Sequence, residues 1–218
     1  MEIPTKSAIR HMVRSRREEI LCRAGGFGPL ASSFCDRLFQ VPELQAARTI
    51  CVYMSLPDEV PTVPLLYDLF YRVRGDAGSG TAEFDKRNPR RIAVPWCQGP
   101  GQMKFIQIKP TSTLARFATD WATPELVSGA YHIKEPCEAC RSQAEREILP
   151  CEADVVIVPG LAFTRNGCRL GRGKGFYDRF LAQVRPDALR IGLAFEEQMF
   201  SELPCDPHDQ PVDCVFVC

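Results

Sequence analysis

The period of the apolar positions changes along this chain, and the changes predict alternating strands and helices. From residue 5 to about 23, Ile9, Met12, Val13 and Ile20 recur at helical spacing, which predicts an amphipathic helix. Lys6, Arg10 and Arg14 recur every four residues and share another face. Taken alone, such spacing most often marks a solvated basic face. Gly25-Gly26-Phe27-Gly28-Pro29 ends this helix. A second helix is predicted over about 30–40, with Leu30, Phe34 and Leu38 as its core face. Thr49 to Ser55 reads as a strand broken by Leu56-Pro57, and Pro64 to about Arg74 as the helix after it. Residues 75–91 are polar and glycine-rich. They read as a mobile insertion rather than a domain linker, because the strand Ile92-Ala93-Val94 follows at once.

Lys104 to Lys109 alternates polar and apolar residues and predicts another strand. Val155-Val156-Ile157-Val158 is short and β-branched, the pattern of a strand buried on both faces. A helix starts near Phe176, and Arg190–Ala194 and Val212–Val217 supply the last strands. Strands alternating with helices predict an α/β fold: a single layered α/β/α domain over residues 1–218 with a mostly parallel central sheet. A chain of 218 residues suits one such domain. There is no internal repeat and no long low-complexity tract.

Charge narrows the function classes. Lys plus Arg and Asp plus Glu both number 27, which argues against a nucleic-acid binder with its usual basic excess. No apolar run approaches the roughly 20 residues needed to cross a bilayer. The N-terminus lacks a signal-peptide core, and Glu2, Glu18 and Glu19 argue against an acidic-poor presequence. A cytoplasmic monomer with no nucleic-acid or membrane partner is expected. Eleven cysteines without a secretory signal read as free thiols rather than a disulfide framework. Cys137-x-x-Cys140, with Cys151 as a third ligand, raises a zinc hypothesis. A structural zinc site usually needs four ligands, often as two close pairs. No second C-x-x-C exists and His132 is only a loose candidate, so free thiols are favoured. Cys214 and Cys218 read as small apolar residues or exposed thiols.

The densest chemical signal follows the 155–158 strand. Pro159-Gly160 leads into a loop carrying Gly167, Gly171, Gly173 and Gly175, with Arg169, Arg172 and Lys174 between them and Asp178 beyond. A strand, a glycine-rich cationic loop and a helix start make an anion site. Glycine lets the backbone approach a phosphate, and free N–H groups point outward. The loop is not a Walker A motif, because Lys174 is followed by Gly175 and position 168 is Cys. Nor is it a dinucleotide fingerprint, because the glycines alternate as G-x-G-x-G.

Residues 169–178, R-L-G-R-G-K-G-F-Y-D, resemble the signature of the 5-formyltetrahydrofolate cyclo-ligase (methenyltetrahydrofolate synthetase) family. The preceding P-G-L-A-F, the L-A-F-E-E-Q of 193–198, Ser55-Leu56-Pro57-Asp58-Glu59-Val60, and Lys6 with Arg10 are similar to that family in the same order. The resemblance runs from about residue 5 to about 213. It implies ATP-dependent closure of 5-formyltetrahydrofolate to 5,10-methenyltetrahydrofolate, releasing ADP and phosphate, with Mg²⁺ as cofactor and with ATP and reduced folate as ligands.

The resemblance assigns ATP to Lys6, Arg10, Arg169, Gly171, Arg172, Gly173, Lys174, Gly175 and Tyr177. It assigns folate to Met54, Glu59, Arg172, Gly173, Lys174, Gly175 and Phe176, catalysis to Lys174 and Arg172, and the metal to Asp178 and Asp209. The residue chemistry agrees. Phosphoryl transfer asks mainly for positioning and charge neutralisation, which the three loop cations supply. Mg²⁺ typically takes one or two protein carboxylates. Asp209 reads equally as a turn or cap residue in its proline-rich D-P-H-D setting. Glu59, just after a strand, can accept paired hydrogen bonds from a pterin edge. Met54, Met103, Trp96, Tyr131 and Phe176 are candidate apolar walls. Two departures from the family pattern stand out. Phe176 replaces the usual Tyr, and the chain ends V-D-C-V-F-V-C where many members end in Thr-Glu. Two rivals are a non-catalytic protein that keeps the fold, and an ATP-dependent kinase or ligase acting on another small carboxylic acid. The presence of Lys174, Asp178 and Glu59 argues against the first.

Overall fold

The structure, a computed structural model, describes residues 4–23, 34–71, 90–109, 123–129 and 133–218, with the backbone alone over 17–23. Helix α1 (Lys6–Arg23), a helical turn α2 at 34–38 and α3 (Pro42–Ala46) precede β1 (Thr49–Val52). Next come α4 (Val63–Tyr71), β2 (Arg91–Gly99), β3 (Gln102–Ile108), β4 (Leu126–Ser128), β5 (Lys134–Pro136), α5 (Glu138–Arg141), β6 (Glu147–Ile148) and β7 (Val155–Val158). The rest comprises β8 (Ala162–Thr164), β9 (Arg169–Leu170), α6 (Phe176–Leu181), β10 (Leu189–Ala194), β11 (Met199–Phe200) and β12 (Cys214–Val217).

Seven strands form one sheet in the order β12-β10-β7-β1-β2-β3-β6. β1 pairs in parallel with β2 and β7, and β10 in parallel with β7 and β12. Only β2–β3 and β3–β6 are antiparallel. Successive side chains of a strand point to opposite faces. Ile50 and Val52 of β1, with Val155 and Ile157 of β7, therefore enter one core under α2, α3 and α4. Cys51, Val156 and Val158 enter the other, against Phe180 and Leu181 of α6. Burial on both faces explains why β7 is an unbroken apolar run. None of the described helices is long and apolar enough to cross a membrane.

The departures from expectation have local causes. On α1, Ile9 and Val13 are buried against Leu161, Ala162 and Leu170 of a separate cluster, but Met12 is exposed, one residue off their shared face. The side chain of Ile20, and Leu30, lie outside the described residues. β1 stops at Val52 rather than Ser55, because Thr62 takes over the backbone. Its Oγ1 donates to the Tyr53 carbonyl and accepts from the Ser55 N–H. Of the expected insertion, 75–89 lies outside the described residues; Arg91 opens β2 and pairs with Glu152 at 2.8 Å. β2 outruns the expected 92–94 because its hairpin with β3 continues past the part paired with β1. The β1-side edge is unpaired beyond Ala93, so Pro95 costs no ladder bond. The stretch between Pro159 and Gly175 is not all loop. β8 and β9 form a short hairpin inside it, joined by β11 in a second, three-stranded sheet. Strands of two or three residues show no sequence period.

Asp154 locks the start of the central pair. Its Oδ2 accepts the N–H groups of Arg48 (2.7 Å) and Thr49 (2.8 Å), and its Oδ1 accepts from Arg185 at 2.5 Å. Burial alone would raise this carboxyl, but the Thr49 and Arg48 N–H groups and Arg185 together hold it below its ordinary 3.8. A depressed carboxyl contributes stability that is complete above its ordinary value and fades as pH falls through the lower folded value. Asp154→Ala should cost about 2 kcal/mol at neutral pH, because two N–H groups lose a charged acceptor. Urea unfolding should show the gap from the parent protein narrowing below about pH 4. A gap equally wide in acid would contradict this account.

Candidate functional site

β1 leads outward to β2 on one side, whereas the chain departs from β7 towards β10 on the other. The sheet thus reverses its winding between β1 and β7. Open α/β sheets bind ligands beyond the carboxyl ends of their strands at such a point. A cleft of about 1140 Å³ lies there, with Met54 and Glu59 after β1, Pro95 and Cys97 of β2, and Pro159, Gly160 and Arg169 to Arg179 after β7 on its walls. Lys6 and Arg10 of α1 and Asp206, His208, Asp209 and Gln210 before β12 complete it.

The loop from Gly171 to Gly175 is shaped by backbone that only glycine adopts readily. Gly173 and Gly175 have φ of +92° and +63°. A side chain at Gly173 would also meet the Arg10 guanidinium at 3.4 Å, and one at Gly175 would meet Arg179 at 3.0 Å. Arg10 Nε donates to the Gly171 carbonyl at 3.0 Å, which ties α1 to the loop. Arg179 donates to the Lys174 carbonyl and, at 2.7 Å, to the Gly101 carbonyl, which ties the loop to the β2–β3 turn. α6 is only six residues long, so its dipole adds little and the side-chain cations dominate the field.

Three cations of the cleft, Lys6, Arg169 and Arg172, meet carboxylates. Arg169, whose side chain is 3% exposed, pairs with Asp178 Oδ1 and donates to the Pro159 carbonyl. Its Nε is buried without a hydrogen-bond partner. Lys6 pairs with Asp206 at 2.6 Å and with Asp209. Burial works against the Lys6 ammonium, but the two aspartates outweigh it and raise its pKa. Burial works likewise against the Asp209 carboxylate, but the Asp206 N–H and Lys6 hold its pKa down. Arg172 reaches across to Asp58 at 2.9 Å and Glu59 at 3.2 Å. Burial opposes the Arg172 charge, and Glu59 and Asp58 more than restore it. The Tyr177 hydroxyl is buried without a hydrogen-bond partner, and burial pushes its pKa well up. Its ring packs edge-on to Phe105.

All of the expected site residues line this one cleft, as does Met103. Trp96 does not. It alternates with Pro95 and Cys97 on β2, so it faces the other way and lies under Arg141 at 4.9 Å. Tyr131 and His132 lie outside the described residues. Arg14 is exposed on α1. Sequence reasoning missed Pro95, Cys97, Arg179, His208 and Gln210. Strand alternation could have paired Pro95 with Cys97, and the spacing Gly175–Arg179 could have placed that guanidinium one turn into α6.

Among the described residues, one group of three metal-ligating side chains, Asp206, His208 and Asp209, has its atoms within 4.8 Å of one another. The Cys137 and Cys140 sulfurs are 3.5 Å apart, and Cys151 is exposed, but no such group includes them. Asp178 and Asp209 offer hard carboxylate oxygens on the same cleft, and the Gln210 N–H beside Asp209 donates to Asp178 Oδ1 at 3.3 Å. That donor set fits Mg²⁺.

The sequence model of the 5-formyltetrahydrofolate cyclo-ligase family matches residues 2–218. The chain is 28% identical over 208 residues to 5-formyltetrahydrofolate cyclo-ligase of Escherichia coli, covering 94% of this chain and 95% of that one. It is 25% identical over 196 residues to a probable 5-formyltetrahydrofolate cyclo-ligase of Schizosaccharomyces pombe, covering 84% and 81%. The solved 5,10-methenyltetrahydrofolate synthetase of Aquifex aeolicus superposes with a TM-score of 0.67 at 26% identity, over 97% of this chain and 89% of that one. The synthetase of Mycoplasma pneumoniae has the same fold, with a TM-score of 0.61 at 19% identity over 97% of each chain.

The Arg169–Asp178 pair is the most buried ion pair of the cleft. Arg169→Met strands a largely buried carboxylate and should cost about 2–3 kcal/mol in urea unfolding. Adding Asp178→Asn removes the stranded charge and should recover about 1 kcal/mol. No recovery in the double variant would show that the loss came from packing instead.

Proposed function

The chain belongs to the 5-formyltetrahydrofolate cyclo-ligase family, and from that premise we propose that it closes 5-formyltetrahydrofolate to 5,10-methenyltetrahydrofolate by spending ATP, with Mg²⁺ held by Asp178 and Asp209. The observation that carries this reading is the joining, in one cleft, of a cationic glycine loop and a nearly buried carboxylate. A polyphosphate matches the first and the donor-rich edge of a pterin matches the second.

The formyl group bears an amide-like oxygen, which is a poor leaving group. In the proposed reaction that oxygen attacks the γ-phosphorus of ATP and ADP departs. N10 of the folate then attacks the formyl carbon and gives up its proton. Phosphate leaves with the former formyl oxygen, and the carbon remains bridged between N5 and N10. The residues position these groups and offset charge. Lys174 and Arg172 stabilise the negative charge that develops as the phosphoryl group moves. Lys6, Arg10 and the 171–175 backbone hold the rest of the phosphate chain, while Arg169 keeps Asp178 in place. Bound Mg²⁺ supplies further neutralisation of the phosphates. Glu59 orients the pterin, with Met54 and Phe176 as apolar walls.

Purified protein given ATP, Mg²⁺ and 5-formyltetrahydrofolate should generate the absorbance of methenyltetrahydrofolate, and omission of ATP should abolish it. An inert mixture would sink the proposal. Lys174→Ala should lower turnover by about 10²-fold or more while the thermal transition stays where it is. Glu59→Gln places an N–H donor against the pterin donors, costing about 1–3 kcal/mol. Folate affinity should then fall about five- to a hundredfold, read by titration.

A further inference from the structure

We infer that Asp58 is a positioning residue that, with Glu59, holds Arg172 at the folate end of the cleft, so that nucleotide and folate bind cooperatively. This rests on the proposed function above. Arg172 Nη2 lies 2.9 and 3.0 Å from the two Asp58 oxygens and 3.2 Å from Glu59 Oε1, and Arg172 Nε lies 3.3 Å from that same Glu59 oxygen. The other Glu59 oxygen accepts the Leu56 N–H at 3.0 Å. Both oxygens that would receive a pterin edge are therefore already engaged, one of them by a residue of the opposite loop.

Arg172 sits between Gly171 and Gly173, in the loop that faces the phosphates. A triphosphate carries more negative charge than either carboxylate and competes for the guanidinium. When Arg172 turns towards phosphate, Glu59 Oε1 is released to accept a pterin N–H. Arg172 and Asp58 are partly exposed, with side chains 39% and 28% accessible, so the contact is weak enough to be exchanged. Glu59 is more enclosed, at 10%, so its release matters more to an incoming donor. Coupling between two ligands is reciprocal: folate that captures Glu59 frees Arg172 for the nucleotide by the same factor. The role of Asp58 is to bias this exchange. Its carboxylate keeps Arg172 near Glu59 until nucleotide arrives, and it needs no contact with either ligand to do so.

Calorimetric titration of 5-formyltetrahydrofolate, with and without saturating Mg²⁺ and the non-hydrolysable β,γ-imido analogue of ATP, tests the coupling. In the parent protein the analogue should tighten folate binding about fivefold, and folate should tighten the analogue equally. Asp58→Asn should raise folate affinity in the absence of nucleotide and shrink the coupling factor towards one. Asp58→Glu, which restores the charge, should restore the coupling. The ratio is the telling quantity, because a purely structural defect or a general charge effect shifts affinities without changing the factor by which one ligand helps the other. A coupling factor of one in the parent protein, with both ligands binding, overturns this inference and leaves the proposed function standing. The same factor in the parent protein and in Asp58→Asn overturns the role of Asp58. Failure of either ligand to bind removes the proposed function and this inference together.

Discussion

The parallel pairing of β1 with β7, in the register Ile50–Val155, Cys51–Val156 and Val52–Ile157, is the constraint on which the rest depends. Parallel neighbours must finish at the same edge of a sheet, so whatever follows them is delivered to the same place. Glu59 and Arg172 are separated by 113 residues and still meet there. Asp154 fixes the entry to this pair by receiving the N–H groups of Arg48 and Thr49. Because the two strands are buried on both faces, slipping the register would expose or clash with apolar side chains on two cores at once. The site inherits its geometry from that rigidity.

Part of the positive charge in the cleft is met by carboxylates of the chain itself. Lys6 meets Asp206 and Asp209, Arg169 meets Asp178, and Arg172 meets Asp58 and Glu59. A cation enclosed without a counter-ion would be costly, so these pairs keep the loop in shape in the absence of ligand. They also raise the demand on a ligand. A simple anion displaces one carboxylate and strands it, whereas a ligand pair that brings both negative charge and hydrogen-bond donors can satisfy both halves.

Much of this was legible in the sequence, for identifiable reasons. Val155–Val158 is β-branched throughout and occupies the two-sided position that such runs imply. The alternation of glycine and cation over 171–175 marked the loop, and positive φ at Gly173 and Gly175 gives the reason for two of its glycines. What the sequence withheld was pairing and facing. Nothing in its spacing says that Arg169 takes Asp178 or that Lys6 takes Asp209 from 203 residues away. Alternation says that Trp96 opposes Pro95 and Cys97 but not which side is the cleft, and Trp96 went to Arg141. β8, β9 and β11 are too short to show a period, so the hairpin inside the glycine-rich segment was invisible.

The two margins of the large sheet have a colloidal consequence. β6 is two residues long and β12 is four. A bare strand margin is a template for adding another chain, and short margins offer few rungs to copy. At one end, β6 covers Phe105 and Ile106 of β3, and Lys104 beside them carries charge against Glu147. At the other, Arg37 donates to the Val217 carbonyl, occupying an acceptor that an intruding strand would need. In a chain with eleven cysteines and a strongly apolar interior, such blunt margins give another copy little to pair with.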